Sequence, residues 1–150
     1  MDWETLRLIA NKGMLLGAHT LNHVHLPRLS PGDAEREIAG SGRLIEERTG
    51  RQTLMFAYPY GDATPALQAL AGRYYRAGFG TRLAFCTPTS RALQLERIDM
   101  FYLQGKPAAL AESQRWLASY LALRQVLRQV RGGLVSLTND RPFGDRAVVR

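Results

Sequence analysis

The chain has 150 residues, of which 45% are hydrophobic and 22% charged, with a formal charge of +7 and a pI near 10.2. That length suits one compact domain with a single core, no apolar run approaches the ~18 residues of a membrane span, and the single Cys86 excludes an internal disulfide. Arginine is dispersed except in the C-terminal third, where Arg115, Arg124, Arg128, Arg131, Arg141, Arg146 and Arg150 gather. This reads as a solvated face and tail, with a polyanion-binding surface as the alternative and no nucleic-acid partner expected.

The N-terminus, "MDWETLRLIANKG", has acidic residues and a helical rhythm where a secretory signal would be basic and then uniformly apolar, so no export address is expected. Asp2 can cap a helix through Trp3, Leu6 and Ile9 that stops at Gly13. "MLLGAHT" reads as a short buried strand. "LSPGDAEREI" is a helix start, with Ser30 as cap, Pro31 in the first turn and Asp33 at the box position. Ala34, Ile38 and Ile45 share a face, and Gly50 is a natural stop.

"TLMFAY" is a second buried strand leading into "PYGD". Thr64 and Pro65 repeat the cap-then-proline signal for a helix ending near Gly78, and "TRLAF" and "LERIDMF" suggest further strands. Pro107 opens a long final helix to about Arg131, where Gly132 and Gly133 break it. This alternation predicts parallel α/β architecture, in which chemistry gathers at the C-terminal ends of strands.

Two motifs fall at such ends. In "GAHTLNH", His19 and His23 are four residues apart. Four residues of strand span ~13 Å, whereas one helical turn brings side chains to ~5–6 Å at Cβ. Two imidazoles sharing one Zn²⁺ at ~2.0–2.1 Å per bond need the second geometry. The strand is therefore expected to end near Thr20 and pass into a helical turn through Asn22. The competing reading is a pair of satisfied structural or surface histidines. Thr20 stands where the zinc-protease pattern needs glutamate, and His25 is expected to face elsewhere as a non-ligand.

In "FAYPYGD", Pro59 fixes φ and pre-shapes a turn, giving the Tyr60 N–H a defined direction suited to an oxyanion. Tyr58 and Tyr60 can offer a flat amphipathic wall to a sugar ring. The competing reading is a structural Tyr-Pro turn with core aromatics.

His-Thr-x-x-His after one strand, followed a helix and a strand later by Tyr-Pro-Tyr-Gly, resembles the polysaccharide deacetylases, carbohydrate esterase family four. The similarity runs through "LLGAHTLNHVHLPRLSPGDAEREIAGS", "FAYPYGD" and "YYRAGFGTRLAF", and "RALQLERIDMF" looks like a later strand of that family. The resemblance implies a distorted (β/α) barrel that removes N-acetyl or O-acetyl groups from sugar polymers using a divalent metal, usually zinc. By match to the motifs, His19 and His23 would bind the metal, with Thr20 bracing the turn. Tyr58, Pro59 and Tyr60 would meet the substrate, and the Tyr60 N–H would face the developing oxyanion.

The resemblance also has gaps. Nothing matches the Thr-Phe-Asp-Asp-like segment that supplies the base and third metal ligand, nor the late Leu-x-His carrying the general acid. Ala57 stands where an arginine is often found. Asp62 and Asp99 lie near strand ends, but no spacing selects either as a replacement ligand.

The expectation is thus an α/β fold: a partial, distorted (β/α) barrel lacking its first strands, with a long C-terminal helix. Residues 1–131 form the truncated deacetylase domain and 132–150 a basic tail. An unpaired sheet edge would invite self-association. The compartment is left open, although the family often acts outside the cytoplasm. A non-catalytic sugar-binding or scaffolding remnant is one rival. Another is an interaction protein using the seam Trp116, Tyr120, Leu123, Leu127 and Val130, flanked by Arg124, Arg128 and Arg131; the simpler expectation is that this seam packs on the barrel and the arginines face water.

Overall fold

The computed structural model describes residues 1–99, 101, 104 and 114–138. They fall in two compact units, Met1–Gln104 and Gly105–Arg150.

In the first unit, helix α1 spans Trp3–Asn11 and is capped by Asp2, whose carboxylate accepts from the Thr5 N–H at 2.8 Å. Strand β1 is Gly17–Ala18, shorter than expected. Helix α2, Pro31–Thr49, begins at Ser30 with Pro31 in its first turn. It ends at Gly50 in the left-handed conformation (φ 69°), the position glycine occupies without steric cost. Strand β2 is Met55–Ala57, helix α3 is Pro65–Ala71 and strand β3 is Ala77–Phe79.

The three strands form a parallel sheet in the order β1-β2-β3, pairing Gly17 with Met55, Ala18 with Phe56, and Phe56 with Gly78. This is a mixed α/β fold with a small parallel sheet. Its core joins Ala18, Phe56 and Tyr58 to Ala34 and Ile38 of α2, and to Leu67, Ala71 and Tyr75. The Phe56 ring lies between those of Tyr58 and Tyr75, with centroids 5.0 and 5.1 Å away. Large apolar surfaces removed from water in this way supply the main drive to fold.

Three expectations in this unit are corrected. The third helix stops at Ala71 rather than near Gly78, because Gly78 belongs to β3. Residues 81–85 are not a strand, and of "LERIDMF" only Leu95 makes a bridge, to Phe79; Met100 lies outside the described residues. The chain passes close to β3 here, where a Cβ on Gly78 would stand 2.7 Å from the Leu93 carbonyl oxygen and 2.9 Å from the Tyr58 ring. The absent side chain, not an apolar alternation, permits the approach.

The second unit contains α4, Gln114–Thr138. The expected start at Pro107 lies outside the described residues, as do residues 139–150 of the expected tail. The helix continues through Gly132 and Gly133; each glycine costs only about 1 kcal/mol relative to alanine. Trp116 and Tyr120 stack at 5.2 Å, but Trp116, Leu123, Leu127 and Val130 are exposed while Leu117 and Leu121 are buried. The expected seam is therefore not the buried face of the helix.

Candidate functional site

The histidine loop leaves β1 at Ala18 and reaches the short helical turn Leu26–Arg28. Residues 21 and 22 form a bend, not the helical turn expected. The reversal comes from two left-handed residues, Thr20 (φ 62°) and His23 (φ 52°). Such φ values cost a side-chain-bearing residue about 1–2 kcal/mol, so something must hold them. Thr20 Oγ1 accepts from the His23 N–H at 3.0 Å. Glu37, reaching over from α2, accepts from the Leu21 and Asn22 N–H groups at 2.8 and 2.9 Å and from the Asn22 side chain at 2.6 Å. Desolvation pushes the Glu37 carboxyl pKa up, but these hydrogen bonds outweigh it and the net shift is downward.

The outcome is that the two imidazoles come close together. The His19 and His23 ring centroids are 4.8 Å apart with planes at 70°; two imidazoles sharing a tetrahedral ion would stand roughly 5 Å apart. His19 Nδ1 lies 2.7 Å from the Ala57 carbonyl oxygen at the end of β2. A carbonyl only accepts, so Nδ1 donates, and Nε2 is the ring nitrogen left for another partner. Among the described residues, no cluster of three or more His, Cys, Asp or Glu side chains is placed to hold a metal.

The proline turn leaves the neighbouring strand end. The Gly61 N–H donates to the Tyr58 carbonyl at 3.0 Å and the Asp62 N–H to the Pro59 carbonyl at 3.1 Å; neither bond is donated by Tyr60. Tyr60 is itself left-handed (φ 59°, ψ −1°) and is followed by Gly61 at φ 81°. A Cβ on Gly61 would also lie 2.2 Å from Thr81 Oγ1, so two constraints select glycine there.

Tyr58, Pro59 and Tyr60 part company. Tyr58 and Pro59 are buried in the core, and desolvation pushes the Tyr58 phenol up to about 12. An enclosed ring offers no face to a sugar, so of the two tyrosines expected to form a wall only Tyr60, 54% exposed, can do so. Its ring meets His23 edge-on at 4.9 Å and stacks on His25 at 3.8 Å with planes 12° apart. His25 does not face elsewhere. Its Nδ1 lies 2.7 Å from Asp62 Oδ2, and it joins the histidine loop to the proline turn.

Sequence reasoning missed Glu37, His25 and the Ala57 carbonyl. Only the spacing of His25 and Asp62 beside two motif elements offered a signal. A contact across 15 residues, such as that between Asn22 and Glu37, has no local signature.

Residues 1–77 match the family model described as polysaccharide deacetylase. The chain belongs to the polysaccharide deacetylase family. Within it, a 58-residue stretch is 31% identical to YxkH of Bacillus subtilis (strain 168), which is named as a polysaccharide deacetylase; it spans 39% of this chain and 21% of that one. The Streptococcus pyogenes deacetylase PplD, solved in complex with acetate, superposes with a TM-score of 0.62 at 25% identity, over 65% of this chain and 44% of that one. The BpsB deacetylase domain from Bordetella bronchiseptica shares the fold, with a TM-score of 0.58 at 19% identity, over 65% of this chain and 48% of that one. The chain thus spans about a fifth of the curated relative and less than half of either structure.

Proposed function

We propose that the chain carries a site for metal-dependent hydrolysis of N-acetyl or O-acetyl groups on a polysaccharide, with His19 and His23 holding a divalent ion. The observation that carries this is the 4.8 Å approach of the two rings, with His19 Nδ1 engaged by the Ala57 carbonyl and the Tyr60 turn alongside. Two imidazole donors suit zinc. When bound, the metal would polarise the acetyl carbonyl and activate a water. Tyr60 presents its main-chain N–H to the oxygen on which charge develops and its exposed ring to the sugar. PplD, the Streptococcus pyogenes deacetylase, was solved with acetate, the fragment such a reaction releases.

The parallel strands read as an arc of a distorted (β/α) barrel. On this reading β1 is an edge able to pair with a further strand, including one from a second copy.

The second reading is a sugar-binding protein without catalysis, favoured by the exposed ring of Tyr60. Zinc titration combined with acetate release from an acetylated N-acetylglucosamine oligomer separates the two. Stoichiometric zinc binding abolished by His19→Ala, with acetate released, is the expected result. Zinc binding without acetate would favour the second reading, and no zinc binding at all would overturn both the metal site and the hydrolase.

A further inference from the structure

The two motifs that define the site are on different loops, joined at their base by the β1–β2 pairing and the His19–Ala57 contact. His25 and Asp62 add a second link, further out along both loops. Asp62 follows the turn that carries Tyr60, and its Oδ2 is 2.7 Å from His25 Nδ1. A carboxylate accepts, so the ring donates through Nδ1 and its plane is held. That plane lies against Tyr60 at 3.8 Å and 12°, close to full stacking. The contacts close a ring: histidine loop to Tyr60, Tyr60 along the chain to Asp62, Asp62 back to the histidine loop.

Tyr60 needs such a clasp. It is left-handed and more than half exposed, so core burial does not hold its side chain in place. With its ring stacked on His25 and 4.9 Å from that of His23, the Tyr60 side chain is held beside the His19–His23 pair.

We propose that His25, oriented by Asp62, is a positioning residue that holds the Tyr60 turn against the histidine loop. The structural claim concerns the clasp itself; its effect on turnover rests on the deacetylase reading above.

The experiment uses the full chain and its His25→Ala and His25→Phe variants. It reads the Tyr60 amide and ring resonances by NMR, zinc affinity by calorimetry, and kcat and KM for acetate release. In His25→Ala, the Tyr60 ring protons should lose the shift imposed by the stacked imidazole and the Tyr60 to Asp62 amides should move, with zinc affinity within about threefold of wild type. The kcat should fall about tenfold with KM little changed, the pattern of an interaction made mainly in the transition state. His25→Phe retains a flat ring without the Asp62 bond and should restore the ring shift but only part of kcat.

Unmoved Tyr60 resonances in a folded His25→Ala protein would overturn the clasp. Parallel loss of zinc binding would overturn it in favour of His25 as a metal ligand. Absence of acetate release from wild type would count against the deacetylase reading alone, since the NMR and zinc arms still decide the clasp. If His25→Ala does not fold, the His25→Phe spectrum decides it: a retained Tyr60 ring shift supports the clasp and a lost one overturns it.

Discussion

Two stretches of this chain use the same local device and fold differently. Ser30 Oγ accepts from the Asp33 N–H at 3.2 Å and starts a helix of 19 residues. Thr20 Oγ1 accepts from the His23 N–H at 3.0 Å and makes a reversal with no helix at all. After Ser30 the backbone continues, with the Ala34 N–H donating to the Ser30 carbonyl at 2.9 Å. After Thr20 the Leu21 and Asn22 N–H groups are taken by a carboxylate from α2, and both Thr20 and His23 turn left-handed. A hydroxyl bonded three residues ahead therefore does not choose the structure. The distant acceptor does, and the helix that starts properly at Ser30 is what carries that acceptor, Glu37, to the loop.

Three measurements probe this difference. The largest effect is expected from Glu37→Ala, which leaves two backbone N–H groups and one amide without their charged acceptor. Hydrogen bonds to charged groups contribute about 1.5–3 kcal/mol, so chemical denaturation should show a loss of about 2 kcal/mol. Zinc affinity should fall with it, because the loop no longer holds His23 beside His19. A Glu37→Ala protein with wild-type zinc affinity would show that the loop is set locally after all. Ser30→Ala should cost about 1 kcal/mol, typical of a lost helix cap, and should leave zinc affinity unchanged; the same denaturation and titration series checks both.

The smallest effect is with pH. The Glu37 carboxyl is held below its ordinary 4.5 in the folded chain. Its contribution is therefore fully present above pH 4.5 and is lost as pH falls through the lower folded value. Amide exchange at Leu21 and Asn22 should accelerate in that acidic window before exchange in α2 does. Simultaneous loss of protection in both places would put the two regions back on an equal footing.

The elements most legible in the sequence were those bounded by their own chemistry. Asp2, Ser30 and Thr64 each cap a helix, and Gly50 ends α2 in the left-handed state. The end of the third helix and the later strands were less legible. Apolar content alone does not separate a helix end from a two- or three-residue strand such as Ala77–Phe79. In α4 the chosen seam was read from helical spacing alone, and spacing does not say which face is buried: Leu117 and Leu121 are, while Leu123 and Leu127 are exposed.

The candidate site divides in the same way. The succession of capping, apolar and turn signals along the chain specified that two imidazoles and a proline turn each follow a strand, because caps and turns are local properties. Folding in three dimensions decided that the rings meet through two left-handed residues held by Glu37, that Tyr58 is sealed in the core while Tyr60 is not, and that His25 joins the two loops. Each of these depends on side chains from separate elements meeting across a parallel sheet, and hydrogen bonds and stacking at such range leave no period or spacing along the chain.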